Sequence, residues 1–167
     1  MSPLPAHPAW NFVTRLYAAP DVAPACMRLQ RLYDIDVTLM LFCLWRGSVC
    51  EAPLAPHLPN LMATAATWRI SAVLPIRQTR MWLKAESASD PTMEGLYQRV
   101  LTAEIECEQG ELLALTQHAE ALCEGISEGP FPAVMAANLS GYLHAAGIAP
   151  TEADRTDMAL ILTAARG

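Results

Sequence analysis

Charge is scarce in this 167-residue chain: 17% of residues are charged and 53% are apolar. A disordered segment needs the opposite balance, so the composition implies a folded globule. Basic residues are scarcer still, 11 Lys and Arg against 17 Asp and Glu, for a net charge of -6 and a pI near 5.1. Global electrostatics therefore disfavour a nucleic-acid partner. Long apolar runs are missing too. The longest near-continuous one, Val37–Trp45, is broken by Thr38 and falls far short of the roughly 18 to 20 residues a bilayer span needs, so no membrane segment is expected.

The opening "MSPLPAHPAW" has neither a basic n-region nor an apolar h-region. It reads as an N-terminal extension, residues 1–7, and not as a signal peptide. The five cysteines, Cys26, Cys43, Cys50, Cys107 and Cys123, are odd in number and form no C-x-x-C pair. That usage predicts reduced, buried thiols in a cytoplasmic protein. His7, His57, His118 and His144 are scattered, with no H-x-x-x-H and no zinc-like Cys–His spacing. A Gly-rich phosphate loop and a G-x-S-x-G elbow are also absent. Hence neither a metal nor a cofactor is expected, and nothing local marks a catalytic residue.

Period-2 alternation is nearly absent as well, whereas 3.6-residue periodicity recurs. The pattern predicts an all-α, single-domain bundle of about seven helices over residues 1–167. They fall at about Pro8–Ala18, Asp21–Tyr33, Val37–Trp45, Asn60–Glu86, Pro91–Cys123, Pro132–Ala146 and Glu152–Ala165. A buried strand competes for the short third segment, but its helical flanks and lack of a partner strand favour helix. Asp21 and Thr151 stand as N-caps, Thr151 with Asp154 in a variant capping box. Gly47 is expected to end the third helix. Pro75 should kink the fourth, because it removes a backbone donor and clashes with the preceding turn.

The fourth segment carries "TWRISAVLPIRQTRMWLK". At 100° per residue, Arg69, Arg77, Arg80 and Lys84 share an arc of roughly 80°. Apolar residues, Trp68 and Trp82 among them, border that arc on both sides, so part of it should line a groove or meet another helix. Glu104, Glu108 and Glu111 follow on the fifth helix at i, i+4 and i+7, on one face. An antiparallel hairpin of the two helices sets Arg69 level with Glu108 and Arg77 within a turn of Glu104. Asp36, before the apolar third helix, caps it and is a further partner for the arginines, while Asp34 reads as a solvated residue. Structural ion pairs that fix helix register are the plain reading. Three arginines and a lysine exceed that need, which points to a protein partner or an anionic small molecule. In the second case Trp68 and Trp82 would wall an anionic, partly apolar ligand held by Arg77, Arg80 and Lys84. Acid/base chemistry by Asp36, Glu104 or Glu108 is a third reading.

"WNFVTRLYAAPDVAPACMRLQRLYDIDVTLMLFCLW" and "WRISAVLPIRQTRMWLK" together resemble a family of small proteobacterial proteins catalogued as a domain of unknown function. The matching positions include Trp10, Phe12, Tyr17, Pro20, Cys26, Gln30, Asp36, Val37, Phe42, Cys43 and Trp45, then Trp68, Arg69, Pro75, Arg77, Arg80 and Lys84. The likeness extends over about residues 8–118. It departs at Thr38, where the pattern has Asn, and at Thr79, where a second Arg is common. The resemblance implies a small helical cytoplasmic protein, with Asp36 and the Arg/Lys stripe in one shared design. It implies no reaction, cofactor or partner.

Overall fold

Residues 4–120 and 131–167 of the computed structural model are described, and among them every regular element is helical. Helix α1 spans Pro8–Tyr17, α2 Val22–Tyr33 and α3 Val37–Val49. Helix α4 runs without a break through Leu58–Trp68, a π-helical turn at Arg69–Val73, and Leu74–Ser87. Helix α5 covers Glu94–Glu120, α6 Pro132–Ala145 and α7 Glu152–Ala165. The all-α bundle of seven helices agrees with the periodicity. Cys123 and the predicted end of α5 lie outside the described residues.

Side-chain caps close the N-termini of three helices. The His7 ring nitrogen Nδ1 accepts the Ala9 N–H at 3.1 Å, with Pro8 in the first turn, where its missing donor costs little. Asp36 Oδ1 accepts the Leu39 N–H at 3.0 Å and caps α3. Thr151 and Asp154 close a capping box on α7, with Thr151 N donating to Asp154 Oδ2 at 2.7 Å. Asp21 departs from expectation. It precedes α2 at φ 62°, and its side chain caps nothing.

Pro75 acts one turn upstream of itself. Without an N–H it cannot bond the carbonyl of Ser71, and the helix answers with a wide turn in which the Leu74 N–H donates to Arg69 O. The helix thereby stays continuous across the proline.

Helix α3 is the axis of the core. Every residue from Leu39 to Gly47 is buried, with α1, α5 and α6 packed around it. Gly47 does not end α3, which continues to Val49. It is a contact glycine: a Cβ there would stand 2.6 Å from Met135 N and 2.7 Å from Met135 Cα, on the backbone of α6. Helix α7 packs on α2 through the Arg28–Asp157 ion pair and Tyr33, whose hydroxyl donates to Asp154 Oδ2 at 2.6 Å.

Cys26, Cys43 and Cys107 are free thiols, and burial pushes Cys26 up to about 12 and raises Cys43 further. Cys50, by contrast, is disulfide-bonded. The expectation of reduced cysteines fails at that position.

Candidate functional site

The antiparallel pairing of α4 and α5 brings the basic stripe onto the glutamate face. Arg77 Nε donates to Glu104 Oε1 at 2.7 Å, and its Nη2 donates to Glu108 Oε1 at 2.7 Å. Arg80 Nε donates to the other oxygen of Glu104. Glu104 is only 5% exposed, so one carboxylate holds two guanidinium groups out of bulk water. Burial works against the Arg77 charge, but its bonds to Glu104 and Glu108 outweigh that and raise its pKa. These contacts leave little of the stripe to attract an anion.

Arg69 takes a different partner from the one the hairpin register suggests. Its Nη1 donates to Asp34 O at 2.7 Å, and its Nη2 pairs with the Asp34 carboxylate. Asp34 ends α2 in the left-handed region at φ 54°, which turns its carbonyl and side chain toward α4. It is therefore a solvated acid, 86% exposed, that also pairs with Arg69. Among the described residues no arginine hydrogen-bonds Asp36. Its N–H donates to the Tyr142 hydroxyl at 3.0 Å, which ties the start of α3 to α6.

Glu111 completes the cluster. It is 1% exposed, and among the described residues no N–H or hydroxyl reaches its Oε1. Burial, then the charge of Asp36 and a hydrogen bond with it, then Glu108, push its pKa up to about 9, with Arg69 opposing. The carboxyl thus keeps its proton at neutral pH. Glu108 is raised as well, chiefly by burial, with Arg77 opposing.

A cavity of about 310 Å³ opens beside this cluster, within the size range of small-molecule sites. Trp10, Val13, Leu41 and Ile105 give it apolar walls, and Gln30, Thr38, Arg77 and Glu108 form its polar end. Tyr17, Met27 and Ile105 stay partly exposed there. A smaller chamber of about 20 Å³ shares Gln30, Val37, Thr38, Arg77 and Glu108 with the first, and adds Asp36, Arg69 and Glu111. Two adjoining spaces result, one apolar and roomy, the other polar and large enough for one water-sized group.

The structure gathers Asp36, Arg69, Arg77 and Glu108 on these chambers, and it ties Arg80 and Glu104 to them through Arg77. It places the other expected residues elsewhere. Trp82 is 60% exposed, Lys84 is exposed, and neither lines a cavity described here. Trp68 packs on α5, where a Cβ at Gly110 would stand 2.8 Å from its ring. The expected walls, Trp68 and Trp82, are replaced by Trp10 of α1 and Ile105 of α5. Trp10, Gln30, Thr38 and Glu111 were not singled out from sequence as a site. Two signals were present: Thr38 is the one polar residue in the apolar run, and Glu111 extends the glutamate face.

The chain belongs to the family described as Protein of unknown function (DUF2390), which matches residues 8–115. The residues named around the two chambers, Trp10 to Glu111, lie inside the matched segment. No curated protein and no solved structure matches the chain.

Proposed function

We propose that this chain is a non-enzymatic binding protein that holds a small, partly apolar molecule between α1, α2, α3 and α5, with the molecule's polar end at the Asp36, Arg77, Glu108 and Glu111 cluster. The observation that carries this reading is the 310 Å³ cavity with apolar walls and one polar end. Few but convergent polar groups on an apolar wall orient a ligand, and such concavities are the usual seat of small molecules. Ligand binding to the folded form raises stability by mass action. Thermal-shift screening against amphipathic compounds tests the proposal, with Thr14→Phe as the blocking variant at the exposed, cavity-lining Thr14. A compound should stabilise the natural chain and lose its effect on the variant. Equal shifts in both proteins would place binding elsewhere and sink the reading.

A protein partner is the second reading. It draws on Ile70, Met81 and Trp82, which are 60 to 68% exposed on α4. Affinity capture with Met81→Lys and Trp82→Lys as controls separates the two; a partner retained by both variants removes this face from consideration. No helix is long and apolar enough to cross a membrane among the described residues. A cytoplasmic location is supported by the free Cys26, Cys43 and Cys107 and opposed by the disulfide at Cys50. Cell fractionation decides it.

A further inference from the structure

We propose that the ligand's polar head is a primary ammonium group seated in the small chamber against Glu111 and Asp36, so that the site takes an amine with an apolar body. This rests on the cavity being a ligand site, and it adds the chemistry of the head.

The small chamber holds an unserved buried acceptor beside a second acid. The ionisable side chains on the chamber are Asp36, Glu108, Glu111, Arg69 and Arg77, joined by neutral Gln30 and Thr38. Both guanidinium groups are committed: Arg69 holds Asp34 with two nitrogens, and Arg77 holds Glu104 and Glu108. Asp36 and Glu111 receive no arginine. Asp36 spends Oδ1 on the Leu39 N–H, the Glu111 carboxyl shares a hydrogen bond with Asp36, and Glu111 Oε1 is buried without a donor among the described residues. Two acidic side chains thus face a space of about 20 Å³ with no cation assigned to them.

Size and hydrogen-bonding type choose the group. A space of that volume admits one water-sized group, which an ammonium matches and a guanidinium, carboxylate or phosphate exceeds. An ammonium offers three donors and no acceptor, which is what an unserved carboxyl oxygen lacks. A carboxylate head would bring a further negative charge beside Asp36, Glu108 and Glu111. The apolar walls of the larger chamber then take the body of the amine.

The proton follows. Without ligand the Glu111 carboxyl holds its proton near neutral pH. An ammonium arriving beside it favours the carboxylate, so the carboxyl proton leaves to solvent and the amine keeps its own. Binding of an amine should therefore release up to one proton and tighten up to about tenfold per pH unit below pH 9.

Three probes of one chain length make the test: n-octylamine, octan-1-ol and octanoate, titrated by calorimetry into the intact chain in two buffers of different ionisation enthalpy. Octylamine should bind about tenfold or more tightly than the other two, as a charge-assisted hydrogen bond implies, with proton release. Glu111→Gln should abolish the release and remove that preference. Its circular-dichroism spectrum should match that of the natural chain, which shows the fold intact. Octan-1-ol or octanoate binding as well as octylamine would overturn the ammonium assignment and leave the cavity reading standing. Octylamine binding without proton release, or undiminished in Glu111→Gln, would also overturn it. Failure of all three probes would overturn it together with the apolar cavity as their site.

Discussion

Glu111→Gln should stabilise this protein increasingly as pH rises. Folding lifts the Glu111 pKa from 4.5 to about 9, so the folded chain binds the extra proton across that window. Stability from this group is fully present below pH 4.5 and is lost as pH climbs toward 9. Each pH unit inside the window costs about 1.4 kcal/mol, and the span from pH 5 to 8 therefore costs about 4 kcal/mol. Glutamine has nearly the shape of the protonated acid and no proton to lose. Urea unfolding of both proteins at pH 5, 6, 7 and 8 should show near-equal stability at pH 5 and a gap that widens to about 4 kcal/mol at pH 8. Titrating groups remote from Glu111 are common to both proteins and largely cancel. A gap that stays constant with pH would mean Glu111 is ionised throughout in the fold, and the account of its burial would fail.

Three further outcomes follow from particular contacts. Glu104→Ala removes the acid shared by Arg77 and Arg80 and leaves Arg77 with Glu108 alone; with those side chains 24% and 20% exposed, the loss should be about 2 kcal/mol, below the range for fully buried pairs. An unfolding midpoint unchanged in urea would show the pairs to be idle. Gly47→Ala forces a methyl onto the α6 backbone at Met135, which cannot rotate aside, and should cost about 3 kcal/mol, read as a fall in thermal midpoint; a loss under half that would mean α3 and α6 separate readily. Thr151→Ala removes the α7 capping box and should cost about 1 kcal/mol, measurable in the same urea series, whereas a neutral result would leave the cap without energetic weight.

Much of the helical layout is local, and local features are legible in residue order. Periodicity places the seven helices, because side chains three and four apart share a face. The Thr151–Asp154 and Asp36–Leu39 caps depend on residues within one turn. The glutamate ladder of α5 and the Arg77 and Arg80 stripe of α4 could be matched for the same reason, since each is a spacing within one helix. The Asp34 contact could not. It depends on a left-handed turn at φ 54° that aims the end of α2 at α4. Gly47 was mistaken for a stop because a glycine that ends a helix and one that admits a neighbour look alike in one dimension.

Residue order by itself determined an acidic chain whose described elements are helical, the caps at Asp36 and Thr151, the disturbance at Pro75 and the two charged faces. Tertiary structure decided what those faces meet: Arg69 turns to Asp34, Trp82 and Lys84 stay outside, and Trp10 and Thr38 come to line a cavity with Arg77 and Glu108. It also decided that Glu111, one glutamate among three on a face, is the one whose Oε1 is buried without a donor among the described residues. The reason is physical. Spacing along a helix fixes which side chains share a face, whereas desolvation and unmatched charge arise only when faces of different helices close on each other.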